Sequence, residues 1–362
     1  MIAVGRSRDI RGEGRGQVQD TLRVGFIGAG ANTTLRHLPG LAAIEGVEFV
    51  AVCNRSLESG HRVADQFGID RVTDDAGAVL EAPDIDAICI GTWPYRHREF
   101  VVRALEAGKH VLCEARMAMN AAEAREMLAA ARAHPGQVAQ LVPAPFDFKS
   151  WRTIRRLVGE GALGEIREVH VTSLNGNALG SAPLHWREQQ RYSGTNTMIL
   201  GILAEMVHRW LGTTEVVQAD AAIFVRERVD AETGKPTTLD VPDSLGILAR
   251  MTNGARATYR VSTVAANPLD PSGVAIHGSR ATLQWRMDDS MALAPVGGAP
   301  APLAPDPGTA GSWTVESDFV TSIREGAPVE LTSFEDGLEY MRFTEAVWRA
   351  WNEGRAVPLA EV

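Results

Sequence analysis

The sequence predicts an α/β protein in which an N-terminal doubly wound parallel sheet is followed by a C-terminal α+β domain with an open mixed or antiparallel sheet. Three observations support this fold class. The chain of 362 residues is too long for one small core. Its first part alternates continuous apolar runs with helical patterns, and its second part alternates single apolar and polar residues. We expect a disordered head or arm at residues 1–21, a first domain at 22–145 and a second domain at 146–362.

Five apolar runs define the predicted parallel sheet. They read R-V-G-F-I-G, E-F-V-A-V-C, D-A-I-C-I-G-T, H-V-L-C-E and Q-V-A-Q-L-V. Strands this continuously apolar are buried on both faces, which is typical of a parallel sheet covered by crossover helices. Between the last two runs, Asn120 and Glu123 have the spacing of a capping box and predict a helix that ends before Pro135.

The second domain has the pattern of strands with one exposed face. Segments such as E-I-R-E-V-H-V and A-D-A-A-I-F-V alternate apolar and polar residues, and Asn253-Gly254 predicts a hairpin. Residues 292–311 are rich in Ala, Pro and Gly and predict a loop. Two amphipathic helices, at about 315–324 and 334–351, close the chain, and the last is free to pack back on the first domain.

Composition excludes several classes of partner. The formal charge is −9, from 36 Lys and Arg against 45 Asp and Glu, without a basic block, so nucleic acid is not an expected partner. No apolar run reaches the roughly 18 residues of a membrane span, and residues 1–21 lack the apolar centre of a secretory signal. Cys53, Cys89 and Cys113 lie in apolar runs at a spacing that fits no metal site. We therefore expect buried thiols, no bound metal and a reducing, cytoplasmic location.

A glycine-rich turn follows the first apolar run as Gly28-x-Gly30-x-x-Thr33. The first glycine permits a tight turn, the second lets the backbone approach a pyrophosphate, and the helix that follows supplies N–H groups. Thr33 stands where glycine or alanine is usual. The motif predicts a dinucleotide site in a Rossmann domain, formed by Gly28, Gly30, Ala31, Asn32 and Thr33.

The residues that select between NAD and NADP are expected after the second strand, where the sequence reads Asn54-Arg55-Ser56. Asn54 stands where an NAD-preferring site carries Asp or Glu, so the carboxylate that would repel a 2′-phosphate is absent. Arg55 offers a guanidinium and Ser56 a hydroxyl to that phosphate. NADP(H) is therefore the expected cofactor. If Arg55 stacks on adenine or lies in solvent instead, NAD(H) remains usable.

Further motifs are distributed along the chain. In the first domain they are His37 in the first helix, D-I-D-A-I-C-I-G-T ending at Thr92 with Pro94 and His97 after it, and A-L-E-A-G-K-H-V-L-C-E at 104–114. In the second domain they are G-A-L-G-E-I at 161–166, Trp186-Arg187 ahead of Ser-Gly, a helix ending Arg209-Trp-Leu-Gly, His277-Gly-Ser, and Asp318-Phe319 ahead of I-R-E-G. In order and spacing these motifs resemble the Gfo/Idh/MocA family of NAD(P)-dependent oxidoreductases, named for glucose–fructose oxidoreductase, inositol dehydrogenase and rhizopine catabolism. The resemblance extends over nearly the whole chain from Leu22.

The resemblance implies a second sheet whose outer face makes a homodimer or homotetramer. It also implies hydride transfer between a nicotinamide and a carbon of a small, sugar-like or polyol-like substrate. The loop with Thr92, Trp93 and His97 would lie beside the nicotinamide, and Glu114 and Ala115 would lie at the same end of the cleft. We therefore expect an NADP-dependent oxidoreductase that acts on CH–OH groups.

Three positions depart from the family pattern. The usual Glu-Lys-Pro reads Glu114-Ala115-Arg116, the usual aspartate is Ile199 and the usual histidine is Leu203. Positions 199, 203, 206 and 210 share one helical face, which is apolar throughout. Oxidation of a carbinol needs a base to take the proton, so either other residues form a non-standard acid–base set or the protein is a non-catalytic NADP-binding regulator or scaffold.

The resemblance and the departures together nominate site residues. The candidate catalytic residues are Tyr95, His97, Arg116, His185 and Tyr192, and the candidate substrate-binding residues are Trp186, Arg187, Asn196 and Lys149.

Several candidates carry an alternative role. Arg116 is a poor base that could orient an oxygen or a carboxylate, or instead bind a cofactor phosphate or form a salt bridge. His97 could cap a helix, and so could Asn196, which otherwise lies within reach of the cleft. Lys149 could replace the missing ammonium or be a solvated helix start. His208 is expected to lie at the surface or to pack against a sheet. Glu205 and Arg209 have the i, i+4 spacing of a helix ion pair.

Overall fold

The computed structural model of the protein describes residues 21–180, 182–230, 233–270 and 272–362. The predicted head or arm at residues 1–21 lies, apart from Thr21, outside these described residues. In the described part of the chain, no helix combines the length and the apolar character that a membrane crossing requires.

Six parallel strands form the first sheet, and their order confirms the doubly wound class. The strands are β1 (Leu22–Ile27), β2 (Val47–Cys53), β3 (Arg71–Thr73), β4 (Ala87–Ile90), β5 (His110–Cys113) and β6 (Ala139–Leu141), arranged β3-β2-β1-β4-β5-β6. All five predicted apolar runs form strands. The three-residue strand β3 was not predicted because it is a half-buried edge strand without an apolar run.

Short helices connect these strands. A π-helical turn (Thr33–His37) precedes α1 (Leu38–Ala42), and α2 (Leu57–Phe67), α3 (Gly77–Leu80), α4 (His97–Glu106) and α5 (Ala121–Ala133) follow. The Asn120 side chain caps α5 by accepting the Glu123 N–H at 2.9 Å. The capping box is formed in one direction only, because the Glu123 carboxylate accepts the N–H of Met119 at 3.1 Å and not that of Asn120.

The second sheet is mixed and has nine strands in the order β16-β15-β14-β13-β7-β12-β11-β8-β17. They are β7 (Ile166–Leu174), β8 (Thr214–Ala222), β11 (Ser244–Met251), β12 (Arg256–Ser262), β13 (Gly273–Gly278), β14 (Ala281–Arg286), β15 (Met291–Pro295), β16 (Ala301–Leu303) and β17 (Val357–Pro358), while β9 (Glu227–Val229) pairs separately with β10 (Pro236–Thr238). Only the β7–β12 pair is parallel within this sheet as described.

Two predictions for the second sheet have different outcomes. The hairpin at Asn253-Gly254 is confirmed, since it joins β11 to β12 and Gly254 has a φ of 89°. The predicted loop at 292–311 is wrong in part, because β15 and β16 lie within or next to it. Both are short strands at the open end of the sheet, where exposure on one side removes the apolar pattern.

The remaining helices are α6 (Trp151–Gly159), α7 (Gln190–Ser193), α8 (Leu200–Leu211), α9 (Val315–Glu325) and α10 (Phe334–Glu353). Helix α10 packs on α5, α8 and β8, so it bridges the two sheets. His208 packs edge-on against Phe343 at 5.6 Å between ring centroids and contacts the Thr214 hydroxyl at 3.0 Å, which confirms the expected packing role.

A buried ionic cluster anchors α8. Arg209 donates to both oxygens of Asp147 at 2.8 and 2.9 Å and also bonds Glu205, which confirms the predicted helix pair. Trp210 donates its indole N–H to Asp147 at 2.9 Å. Glu205 further accepts the Thr332 hydroxyl at 2.6 Å. The cluster therefore satisfies its buried charges internally.

Candidate active site

The glycine-rich turn packs tightly against the loop after β4. Gly28 has a φ of 81°, and a Cβ on it would lie 2.8 Å from the backbone nitrogen of Thr92. Thr33 is accommodated because Gly91 has no side chain, since a Cβ there would lie 2.1 Å from the Thr33 hydroxyl. Sequence reasoning identified the departure at Thr33 but not the glycine that compensates for it.

The turn also leaves room for a dinucleotide. A Cβ on Gly30 would meet nothing closer than the Gly28 carbonyl at 3.9 Å, and Gly30, Ala31 and Asn32 are exposed. Beside them, the buried Thr92 hydroxyl has no hydrogen-bond partner among the described residues. An open backbone next to an unsatisfied hydroxyl fits a pyrophosphate and the sugar attached to it.

The predicted selector residues are at the end of β2. The Asn54 Oδ1 accepts the N–H of Ala29 at 2.8 Å, so this side chain holds the glycine-rich turn to β2, a role that the sequence did not indicate. Ser56 caps α2 by accepting the N–H of Ser59 at 3.3 Å. Arg55 is exposed beside it.

Glu114 belongs to a buried charge network. Its carboxylate accepts from Asn32 and lies 3.0 Å from the His37 Nε2, and the His37 Nδ1 lies 2.6 Å from Glu316. Burial opposes the charged form of His37, but the hydrogen bonds of the two carboxylates outweigh it and raise the pKa of His37 to about 9. A protonated His37 therefore links the predicted cofactor residues Asn32 and Glu114 to α9. Sequence reasoning missed Glu316.

His97 lies beneath the loop that it was expected to complete. It is fully buried, its Nε2 lies 2.9 Å from the Thr92 carbonyl, and its Nδ1 lies 3.1 Å from the carbonyls of Arg116 and Met117. Burial lowers its pKa. This placement differs from the predicted catalytic and nicotinamide-contacting role, because the fully buried ring contacts backbone carbonyls and holds two loops together.

Asn196 is also buried. It is 1% exposed, and its Nδ2 donates to the carbonyls of Ala118 at 2.8 Å and Ser193 at 2.7 Å. It neither caps α8, which begins at Leu200, nor lies open to the cleft as predicted. Together with Tyr340, whose hydroxyl accepts the Met117 N–H at 2.6 Å, it fixes the stretch that contains Arg116. No pattern in the sequence indicated Tyr340.

Arg116 is 5% exposed and follows a cis peptide bond after Ala115. Its guanidinium makes no hydrogen bond or ion pair to any residue that the structure describes, and its Nε is buried without a partner. Burial and the charge of Arg187 lower the pKa of Arg116 to about 10. The alternative of an internal salt bridge is therefore not found among the described residues.

Aromatic rings from both domains meet in one cluster, the aromatic mouth, which consists of Trp93, Tyr95, Trp186 and Tyr192. Trp93 stacks on Trp186 at 5.5 Å with an interplanar angle of 16°, and Tyr192 lies 5.0 Å from Trp93 and 5.5 Å from Tyr95. Tyr95 is 44% exposed. Four predicted site residues are thus brought together although they are separated by up to about 100 residues of sequence.

Two further candidates border the aromatic mouth. The Arg187 guanidinium lies 4.3 Å from the centre of the Trp186 ring. His185 lies 5.5 Å from Trp186, is exposed, and accepts the Arg187 N–H at its Nδ1. Burial of part of the ring and the Arg187 charge lower the pKa of His185, so the neutral ring carries its proton on Nε2.

The apolar face of α8 lies mostly in the core. Leu203 and Met206 are fully buried, Trp210 is 3% exposed, and only Ile199 of the four positions is partly exposed. Lys149 is not brought to the aromatic mouth. It is exposed at the start of α6, where its backbone N–H donates to Asp289 at 2.8 Å, in agreement with the solvated helix start.

The aromatic mouth therefore carries the hydroxyls of Tyr95 and Tyr192 and borders the imidazole of His185, while Arg116 is a buried guanidinium without a partner among the described residues. Hydroxyls and a neutral imidazole are groups that can exchange protons, whereas a guanidinium stays charged and can only donate hydrogen bonds. The open glycine-rich turn is placed to hold a dinucleotide on the first-domain side.

Two family models match the chain. Residues 22–141 match the model described as oxidoreductase family, NAD-binding Rossmann fold, and residues 151–284 match the GFO/IDH/MocA C-terminal domain.

Relatives of known sequence match over part of the chain. An uncharacterized oxidoreductase of Rhizobium meliloti is 32% identical over 41% of this chain and 45% of its own length. The inositol 2-dehydrogenase of Ralstonia nicotianae is 30% identical over 43% of this chain and 46% of its own length. The chain thus spans about half the length of each of these two relatives. The levoglucosan dehydrogenase of Pseudarthrobacter phenanthrenivorans is 24% identical over 74% of both chains.

Solved structures share the whole fold. A levoglucosan dehydrogenase in complex with NADH and L-sorbose has a TM-score of 0.81 at 23% identity and covers 94% of this chain and 99% of its own. An inositol dehydrogenase homologue from Azotobacter vinelandii complexed with NAD⁺ has a TM-score of 0.78 at 22% identity, covering 93% of this chain and 97% of its own.

Proposed function

Because the chain belongs to the Gfo/Idh/MocA oxidoreductase family, we propose that it transfers a hydride between a nicotinamide dinucleotide and a hydroxyl or carbonyl carbon of a small carbohydrate-like molecule. The observation that carries this proposal is the open turn at Gly28 and Gly30 beside the unsatisfied Thr92 hydroxyl. It provides backbone approach for a pyrophosphate within reach of the loop that leads to the aromatic mouth.

The substrate class rests on the aromatic mouth and on the names of relatives. Flat faces such as those of Trp93 and Trp186 suit the apolar side of a sugar ring, while the hydroxyls of Tyr95 and Tyr192 suit its polar edge. Relatives named inositol 2-dehydrogenase and levoglucosan dehydrogenase act, by their names, on polyol-like and sugar-like molecules.

We assign proton exchange to the aromatic mouth and first to Tyr192. Its ring contacts both Trp93, on the loop after β4, and Tyr95, so it lies where the two domains meet. The nicotinamide supplies or accepts the hydride when bound, and a group near the reacting oxygen must exchange the proton. Tyr192→Phe is expected to lower kcat by about 100-fold with NADP(H) affinity unchanged. An unchanged kcat would transfer the role to Tyr95 or His185.

NADP(H) is the proposed preferred cofactor. Arg55 is exposed next to Ser56 at the start of α2, where a 2′-phosphate would gain a guanidinium, a hydroxyl and a helix N-terminus. The similar solved structures contain NADH or NAD⁺, so the preference of this chain has to be measured by comparing the two cofactors. Arg55→Ala should reduce NADPH affinity at least tenfold and leave NADH affinity unchanged, and an unchanged preference would refute the assignment.

The activity is tested by following the absorbance of reduced nicotinamide with a panel of sugars, glycosides, polyols and sugar acids. Turnover with any of them supports the enzyme. Restoring the family lysine with Ala115→Lys is expected to give no gain, because Ile199 and Leu203 offer no polar partner to a buried ammonium. A large gain in activity would mean that this chain has the usual family site and lacks only its lysine.

A non-catalytic regulator is the second candidate function. The buried apolar face of α8, with Leu203 and Met206 fully buried, favours it because no acid–base pair can lie there. Tight NADPH binding without turnover across the whole panel would support it.

We also propose assembly and location. Phe224 is 69% and Leu248 is 59% exposed on the second sheet and its adjoining loop, which supports a homodimer or homotetramer through that sheet. Size-exclusion chromatography with light scattering tests this state.

The free, buried thiols of Cys53, Cys89 and Cys113 support a reducing, cytoplasmic location.

A further inference from the structure

We infer that the substrate is a sugar acid whose carboxylate binds between Arg116 and Arg187. This inference deepens the proposed function and rests on it. It identifies the chemical class of the molecule that enters the aromatic mouth.

Arg116 differs from the other buried cations in the described chain. Lys109 donates to the carbonyls of Ala82 and Ile85 at 2.8 Å each. Arg209 has the two carboxylates of its cluster, and Arg228 pairs with Glu188 at 2.8 Å. Arg116, which is equally buried, has no such acceptor among the residues that the structure describes.

An unsatisfied guanidinium requires a ligand with negative oxygens. Arginine remains protonated at neutral pH, so it cannot escape the cost of burial by losing its charge. Its Nε and one terminal nitrogen form an edge that matches the two oxygens of a carboxylate. The free, buried Nε of Arg116 belongs to that edge. A neutral sugar hydroxyl would leave the charge uncompensated.

Arg116 is held in place before any ligand arrives. The Arg116 carbonyl contacts His97, and the Met117 N–H donates to the Tyr340 hydroxyl. The Ala118 carbonyl accepts from the Nδ2 of Asn196. Its side chain crosses α8 where Gly201 leaves room, since a Cβ on Gly201 would lie 2.7 Å from the Arg116 Cδ. A fixed guanidinium loses little entropy on binding, which increases affinity for the anion.

Arg187 adds a second positive charge near Arg116. It is exposed at the rim, with its guanidinium 4.3 Å from the centre of the Trp186 ring, and its positive charge contributes to lowering the pKa of Arg116. Burial lowers the pKa of Arg187 and the charge of Glu114 partly offsets this, but that carboxylate is already engaged by His37 and Asn32. Two arginines with one partly neutralised carboxylate make this end of the site attractive to an anion, although the whole chain carries −9.

The test compares matched probes by calorimetric titration, with and without NADPH. The probes are D-glucuronate, its methyl ester, D-glucose and D-glucose 6-phosphate. The variants are Arg116→Met, which removes the charge, and Gly201→Ala, which displaces the arginine. The control is Arg167→Met on β7, whose exposed arginine pairs with Glu165. NADPH binding, measured separately by fluorescence, reports on the proposed function and not on this inference.

We expect D-glucuronate to bind at least tenfold more tightly than its methyl ester or D-glucose in the wild-type protein and in Arg167→Met. Arg116→Met should abolish the difference, and Gly201→Ala should reduce it, with NADPH affinity unchanged in both. Equal binding of acid and ester, or loss of NADPH affinity in Arg116→Met with the acid preference retained, would overturn the inference. Tighter binding of the phosphate ester than of glucuronate would overturn the choice of a carboxylate.

Discussion

Arg116→Met is expected to stabilise the free protein, although it removes a buried side chain from the candidate site. Burial and the charge of Arg187 lower the pKa of Arg116 from 12.5 to about 10. At about 1.4 kcal/mol for each pH unit, this depression corresponds to a penalty of about 3 kcal/mol for holding the charge in the folded state. Methionine fills a similar volume without a charge. Allowing for imperfect repacking, we expect the free energy of unfolding to rise by about 1–3 kcal/mol.

The assay is urea denaturation at neutral pH, followed by tryptophan fluorescence and circular dichroism. Arg209→Met provides the contrast, because that arginine is nearly as buried, with 9% of its side chain exposed, but is paired with Asp147 and Glu205. D-Glucuronate at 100 times its Kd should then stabilise the wild-type protein by about 2.7 kcal/mol and leave Arg116→Met unchanged. A loss of stability in Arg116→Met without ligand would refute the reasoning, since it would mean that the guanidinium has a stabilising partner.

Three further predictions concern the first domain and the buried cluster. The raised pKa of His37 contributes stability that is full below its unfolded value of 6.5 and is lost as the pH rises through about 9. Stability to urea should therefore fall by about 3 kcal/mol over that window, and by much less in Glu316→Gln. Gly30→Ala should keep its urea midpoint but bind NADPH at least tenfold more weakly, and unchanged binding would contradict the pyrophosphate site. Arg209→Met should lose about 3–5 kcal/mol in urea because it leaves Asp147 unpaired, and a loss below about 1 kcal/mol would contradict this account of the cluster.

The fold was predictable because its signals are local. Apolar runs identified the strands of the parallel sheet, and Asn253-Gly254 identified a hairpin from two residues. Strands that escaped prediction include β3 and β16, which are short edge strands, and β15, which is short and lies next to β16. Exposure at the edge of a sheet removes the apolar period. A local apolar pattern identifies strands that are buried. It carries little information about exposed strands, which do not need apolar residues at regular positions.

For the candidate site, the sequence predicted which residues lie together but not the role of each residue. The family resemblance predicted that Trp93, Tyr95, Trp186 and Tyr192 lie near the cleft. In the structure their rings are in contact. It did not indicate that His97 is buried against backbone carbonyls. Such roles depend on contacts between residues distant in the chain, for example the Nδ2 of Asn196 on the Ala118 carbonyl, and no spacing rule encodes them.

The three departures from the family pattern are consistent with a single change of chemistry. A lysine can give up its proton and so can take part in proton transfer, whereas the guanidinium of Arg116 cannot. The helix face that would have partnered the lysine is apolar, with Leu203 fully buried, and Gly201 on the same helix leaves the space that the Arg116 side chain occupies. The inner end of the site is therefore suited to binding charge. Under the proposed function, proton exchange is assigned to groups at the aromatic mouth, so Tyr192 and Arg116 should have separable effects, the first on kcat and the second on the preference for an acid.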